Sequence, residues 1–128
     1  MAGRVARHLL GVAGWLTAAV GVLHLGVAGV QNDTLSFDAL WFVGSGLAVV
    51  LIGVLTLLAR TAPAHPAVRR AALGANVAGL ALAVAFGALT RWREPQGPAL
   101  VALFLTGGIG AMLPADGSRD PLRRDEPE

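Results

Sequence analysis

The chain alternates long apolar stretches with short polar ones. Residues 9–30, 39–59, 71–90 and 98–113 contain no Asp, Glu, Lys or Arg and run for 22, 21, 20 and 16 residues. A hydrocarbon core of about 30 Å needs roughly 20 helical residues at about 1.5 Å each. The first three stretches meet that length. The fourth covers only about 24 Å and reads as a short spanning helix with local thinning of the bilayer, the alternative being a partly re-entrant segment. The pattern predicts an all-α protein, an integral membrane four-helix bundle running up-down-up-down over residues 1–114, with a disordered tail over 115–128.

Composition agrees with lipid as the solvent. Hydrophobic residues make up 55% of the 128, charged residues only 14%, and mean hydropathy is +0.64, whereas ordinary globular chains are about a quarter charged. The first stretch follows Arg4 and Arg7 and ends near Val27-Ala28-Gly29, so a cleaved signal is an alternative reading. Its length favours a retained helix, because signal cores run to about 7 to 15 apolar residues.

Charge sets the expected orientation. Arg4, Arg7, Arg60, Arg69, Arg70, Arg119, Arg123 and Arg124 fall on the side of both termini, and only Arg91 and Arg93 on the other. Arginine-rich loops stay in the cytoplasm, which predicts cytoplasmic amino and carboxyl termini in a bacterial inner membrane. The pI near 11.0 does not indicate nucleic acid as a partner, since net charge is only +2 and no basic cluster is interleaved with aromatics. Cysteine is absent, which excludes disulfides, thiol chemistry and Cys-ligated metals.

The connections at 31–38, 60–70 and 91–97 are short enough to join antiparallel neighbours. Ser36 or Asp38 is placed to cap helix two. Pro63 and Pro66 stop that helix and hold the following link extended, and Pro98 suits the first turn of helix four. Asn32-Asp33-Thr34 matches a glycosylation acceptor, but in a tight loop at a membrane surface it reads as a chance match.

In lipid, helices associate where small residues let backbones approach. Ala71, Ala75, Gly79, Ala83 and Gly87 recur every fourth residue on helix three, a face for a seam within the bundle or for a second copy or membrane-protein partner. On helix one, Ala13, Thr17 and Gly21 share a side with His24, so the imidazole points into the bundle. On helix two, Asp38, Trp41, Ser45, Ile52 and Thr56 share a face. Depth then selects partners: Ser45 and Trp41 beside His24 with Asp38 above them, and Thr17 or Thr56 beside Asn76 in the other half.

Ionisable side chains inside a membrane are functional candidates by default. His24, Trp41, Ser45 and Asp38 therefore form a candidate ligand or proton site, against the plainer reading of His24 as helix-bonding glue. Thr17, Thr56 and Asn76 are expected to bond helices together. No catalytic group, metal or cofactor is predicted. A second histidine at the depth of His24, needed for bis-histidine haem, is missing, and His8 and His65 lack carboxylate or thiolate companions. No paired carboxylates, nucleophile elbow or phosphate loop occurs. "GSG" at 44–46 and "TGGIG" at 106–110 allow close helix contact, and the second could also loosen helix four into a hinge.

Small multidrug transporters share the four spans but use an embedded glutamate in helix one, and fluoride channels use a polar Phe and Thr track; neither feature occurs here. With "GVLHLG" late in helix one and the glycine-rich "FVGSGLAVVLIGVLTLLAR" ending at a basic loop, the layout from Leu9 to about Leu113 resembles the DoxX-like group of small bacterial four-span proteins. The resemblance implies the same architecture and a role as a membrane companion of oxidoreductases, and it transfers no site residue. Three functions are expected in turn: a non-enzymatic accessory or scaffold component of a membrane assembly, a small transporter or lipophile-binding protein with a pocket around His24, and a membrane subunit of a quinone-linked oxidoreductase.

Overall fold

Of the two capping candidates for the second helix, Ser36 and not Asp38 fills the role, its Oγ accepting from the Ala39 amide at 3.1 Å and satisfying one of the free N–H groups of the first turn. The computed structural model describes residues 2–31 and 36–114. The 115–128 tail and the Asn32-Asp33-Thr34 acceptor lie outside the described residues. Within them the chain is all-helical: α1 Ala2–Gln31, α2 Phe37–Thr61, α3 Pro66–Leu89 and α4 Gln96–Met112. The first three are long and apolar enough to cross a membrane, and α4 is a shorter apolar helix.

Helix boundaries depart from the apolar runs at one end of the bundle. α1 begins seven residues before Leu9, because Gly3 and Ala6 are buried against its neighbours and arginine costs a helix little. α3 begins at Pro66, in its first position, where a missing N–H is tolerated. Pro66 therefore opens a helix instead of holding a link extended. Arg60 stands in the last turn of α2 and Arg69 and Arg70 stand in α3, so the basic loop read from the sequence is helical at both edges. At this basic end of the bundle Arg69 Nη2 donates to Ala111 O at 2.9 Å and to Leu113 O, covering carbonyls that the end of α4 leaves unbonded.

The helices form a four-sided array. α1 packs on α2 and α4, α3 packs on α2 and α4, and α2 and α4 barely touch across the diagonal. Size is distributed inside out. The buried apolar residues are mostly alanine, with Leu10 and Phe104 the bulky exceptions, while Trp15, Leu23, Leu40, Trp41, Leu82 and many others are exposed. In water such exposure would cost about 25 cal/mol per Å²; against acyl chains it costs almost nothing.

Glycine fixes the α1–α2 seam. A Cβ at Gly53 would fall 2.5 Å from Ala18 N and 2.8 Å from Gly14 O, and one at Gly21 would fall 2.6 Å from Val50 N. Backbone meets backbone there, and only glycine fits. On α3 the predicted stripe is half right. Gly79, Ala83 and Gly87 are buried, but Ala75 is half-buried and Ala71 exposed, and the buried line continues through Asn76 and Ala72. A strict four-residue repeat advances about 40° per step around a helix of 3.6 residues per turn, so a straight neighbour cannot follow it. The neighbour is α4, with Phe104 lying on Gly79 at 3.0 Å from the position of an added Cβ.

"TGGIG" forms no hinge, since α4 is continuous through it, with Gly107 closing on Asn76 and Gly110 on Leu10. The α3–α4 turn places Arg91 and Trp92 in the left-handed region, at φ 54° and 57°, a conformation costing roughly 1–2 kcal/mol per residue. The turn folds the Trp92 ring onto Gly87, where any Cβ would collide with it, and Trp92 N donates to Gly87 O at 2.7 Å.

Candidate functional site

Two polar groups stand inside the apolar bundle, at different depths. The deeper one is built on Asn76 of α3. Its Nδ2 donates to Thr56 Oγ1 of α2 and to Ala72 O one turn back, both at 2.8 Å. Thr56 uses its own hydroxyl proton on Ile52 O, also at 2.8 Å, which leaves Oγ1 free to accept. Both amide protons are therefore spent, and this count assigns the amide nitrogen. The amide oxygen abuts Gly107 of α4. Asn76, Thr56 and Thr17 are each only 1% exposed. Of the two expected partners of Asn76, the bond is made by Thr56.

The second group is built on His24, where α1 lies against α2. Nε2 is 3.1 Å from Ser45 Oγ. Ser45 donates its one hydroxyl proton to Phe42 O at 2.8 Å, so its oxygen accepts from the ring and the imidazole proton sits on Nε2. The ring stacks on Phe42, with centroids 3.8 Å apart and planes at 17°, and its Cδ2 lies 3.1 Å from where a Cβ of Gly46 would be. Unlike Asn76, His24 is only half-buried. The register gives the reason. Gly110 of α4 meets Leu10 of α1, so α4 starts at about the level of His24 when antiparallel helices advance by about 1.5 Å per residue. Beyond that level α1 and α2 continue as a pair.

His24 and Ser45 are thus brought together as the sequence predicts, and Trp41 and Asp38 are not. Trp41 is 71% exposed, and the aromatic neighbour is Phe42. The α2 surface that meets α1 is centred on Gly46 and Gly53, and Trp41 precedes Gly46 by five residues, about 140° around the helix. Grouping α2 residues by polarity pointed to Trp41, whereas the paired glycines at 14 and 21 on α1 and at 46 and 53 on α2 carried the correct face. Asp38 is exposed in the first turn of α2, where a carboxylate complements the helix dipole.

His8 and His65 are exposed at the basic end of the bundle, and the described carboxylates, Asp38 and Glu94, belong to the opposite end. No protein family, curated protein or solved structure matches the chain.

Proposed function

We propose that the protein is a non-enzymatic accessory or scaffold component of a membrane assembly, spanning a bacterial cytoplasmic membrane with both termini in the cytoplasm. The observation that carries this reading is the closure of the interior. Gly21, Gly53 and Gly107 leave no room even for a methyl group, and Asn76 and Thr56 bind helix to helix. The interior serves packing, so the working surface is the outside. On α3 that outside is unusual: Ala67, Ala71, Gly74, Ala78, Ala81, Ala85 and Ala88 are all exposed at alternating spacings of four and three, the seam geometry of left-handed helix pairs. The proposed partner face keeps only Ala71 of the Ala71-to-Gly87 line, whose Gly79, Ala83 and Gly87 are buried, and continues along the opposite flank of α3. In-membrane crosslinking through Ala78→Cys tests it, with a discrete crosslinked species expected. A free monomer with no crosslinked product from any position along this flank sinks the reading. Reporter fusions at the carboxyl terminus are expected to place it in the cytoplasm.

The half-open His24–Ser45–Phe42 group favours a second reading, a lipophile-binding protein with its pocket beside His24. It predicts that a hydrophobic ligand retained on purification is lost in His24→Ala while the fold persists. Retention of the same ligand by that variant removes His24 from the function.

A further inference from the structure

The bundle is polar in charge as well as in direction. Arg4, Arg7, Arg60, Arg69 and Arg70 all stand at the basic end, and no Asp or Glu among the described residues stands there with them. Two recesses open at this end and share Pro63 and Arg69. One lies against Arg7 and Leu10, and the other against Arg70, Leu73 and Met112. Arg69 links them.

Its guanidinium is already fixed in place, because Nη2 donates to both Ala111 O and Leu113 O at the end of α4. Those two bonds use both Nη2 protons of a group with five N–H donors in a planar fork. The one Nε and two Nη1 protons make no hydrogen bond to the described residues. A pinned, half-buried guanidinium that keeps its full charge and three unspent N–H donors suits a phosphate oxygen, to which arginine donates strong charge-assisted hydrogen bonds. Beside it, Arg70 is exposed, and Leu73 and the 71% exposed Met112 extend the recess along the apolar flank of α3 and α4.

We infer that this recess is a binding site for an anionic phospholipid, its phosphate held by Arg69 and Arg70 and an acyl chain lying along Leu73 and Met112. The inference rests on the membrane-spanning reading. The level of the site follows from it: the basic end closes the apolar spans, so Arg69 stands where headgroups begin, and basic recesses at that level select acidic lipids. Apolar side chains directly below the charge favour a lipid over a free anion.

The test uses the full chain in nanodiscs of phosphatidylcholine with or without phosphatidylglycerol, released into native mass spectrometry. Phosphatidylglycerol is expected to remain bound where phosphatidylcholine leaves. Retention should fall about fivefold in Arg70→Gln, the effect of one interfacial cation, and further in Arg69→Gln. Arg69 also caps α4, so Arg70→Gln, which leaves that cap in place, separates binding from folding and should lose retention while keeping the melting temperature. Equal retention of the two lipids, or unchanged retention in Arg70→Gln, overturns the site. Displacement of the lipid by inorganic phosphate also overturns it, in favour of a free anion. Uptake only after Asp116, Asp120 and Asp125 are changed to Asn would assign the recess to the chain's own acidic tail. Failure to insert into nanodiscs at all would instead bring down the membrane-spanning reading.

Discussion

Asn76 and His24 are both polar side chains in an apolar bundle, and both bond a hydroxyl on α2, yet their surroundings differ. Asn76 stands where Thr56 of α2 and Gly107 of α4 close on it, and it is 1% exposed. His24 stands where α4 begins, and one side of it is open. The same type of bond therefore serves two ends. Where the bundle is complete it locks helices, and where one helix is missing it leaves a group that can meet a ligand.

The largest expected effect tests how tightly the deeper group is closed. Gly107→Ala drives a methyl group into the Asn76 amide and should cost about 2 kcal/mol by overpacking, read as thermal unfolding in detergent. The same change at Gly44, where an added Cβ meets nothing within 4 Å, should stay within about 0.5 kcal/mol. Equal effects at the two glycines would show that Asn76 is not enclosed. Next, Asn76→Ala should cost about 1–2 kcal/mol, the upper range for interhelical bonds in lipid. Combining it with Thr56→Val should cost less than the sum, because both remove one shared bond.

His24→Ala should cost less than Asn76→Ala, below about 1 kcal/mol, since lipid or water can fill the space it leaves. A cost matching that of Asn76→Ala would erase the distinction between the two groups. The chain has no cysteine, so single introduced thiols report accessibility directly: Ser45→Cys should react with a membrane-permeant maleimide and Thr56→Cys should resist it. The smallest effect is expected at Trp41, where Trp41→Leu should change stability by no more than about 0.5 kcal/mol; a larger loss would return Trp41 to the His24 group.

Much of this was legible in the chain. Four apolar runs with short links dictate antiparallel neighbours, and counting residues from the helix ends places Ser45 beside His24 and leaves Thr17 and Thr56 as candidates beside Asn76, between which only the structure selects. Rotation was harder to read. Depth follows from sequence number, because rise per residue is constant, but the facing side depends on which residues touch. Polarity along α2 points to Trp41, while the glycines that set the buried side at Gly46 and Gly53 look like any others in a chain with 17 of them. The role of Arg69 was hidden for a related reason. In sequence it belongs to a basic loop, and its partners are carbonyls more than 40 residues away.

The sequence by itself determined that the chain is helical, that its bulky surface faces lipid, how the helices alternate and at what depth each polar side chain lies. Those properties follow from hydropathy and from a fixed rise per residue. Only the tertiary structure decided which faces meet, that α4 takes the Gly79-to-Gly87 side of α3, and that α4 begins level with His24 and ends on Arg69. Lipid does not distinguish one leucine face from another, so hydropathy carries little information about rotation. That information lies in backbone contacts at Gly14, Gly21, Gly46, Gly53 and Gly107, whose meaning appears only when the neighbouring helix is in place.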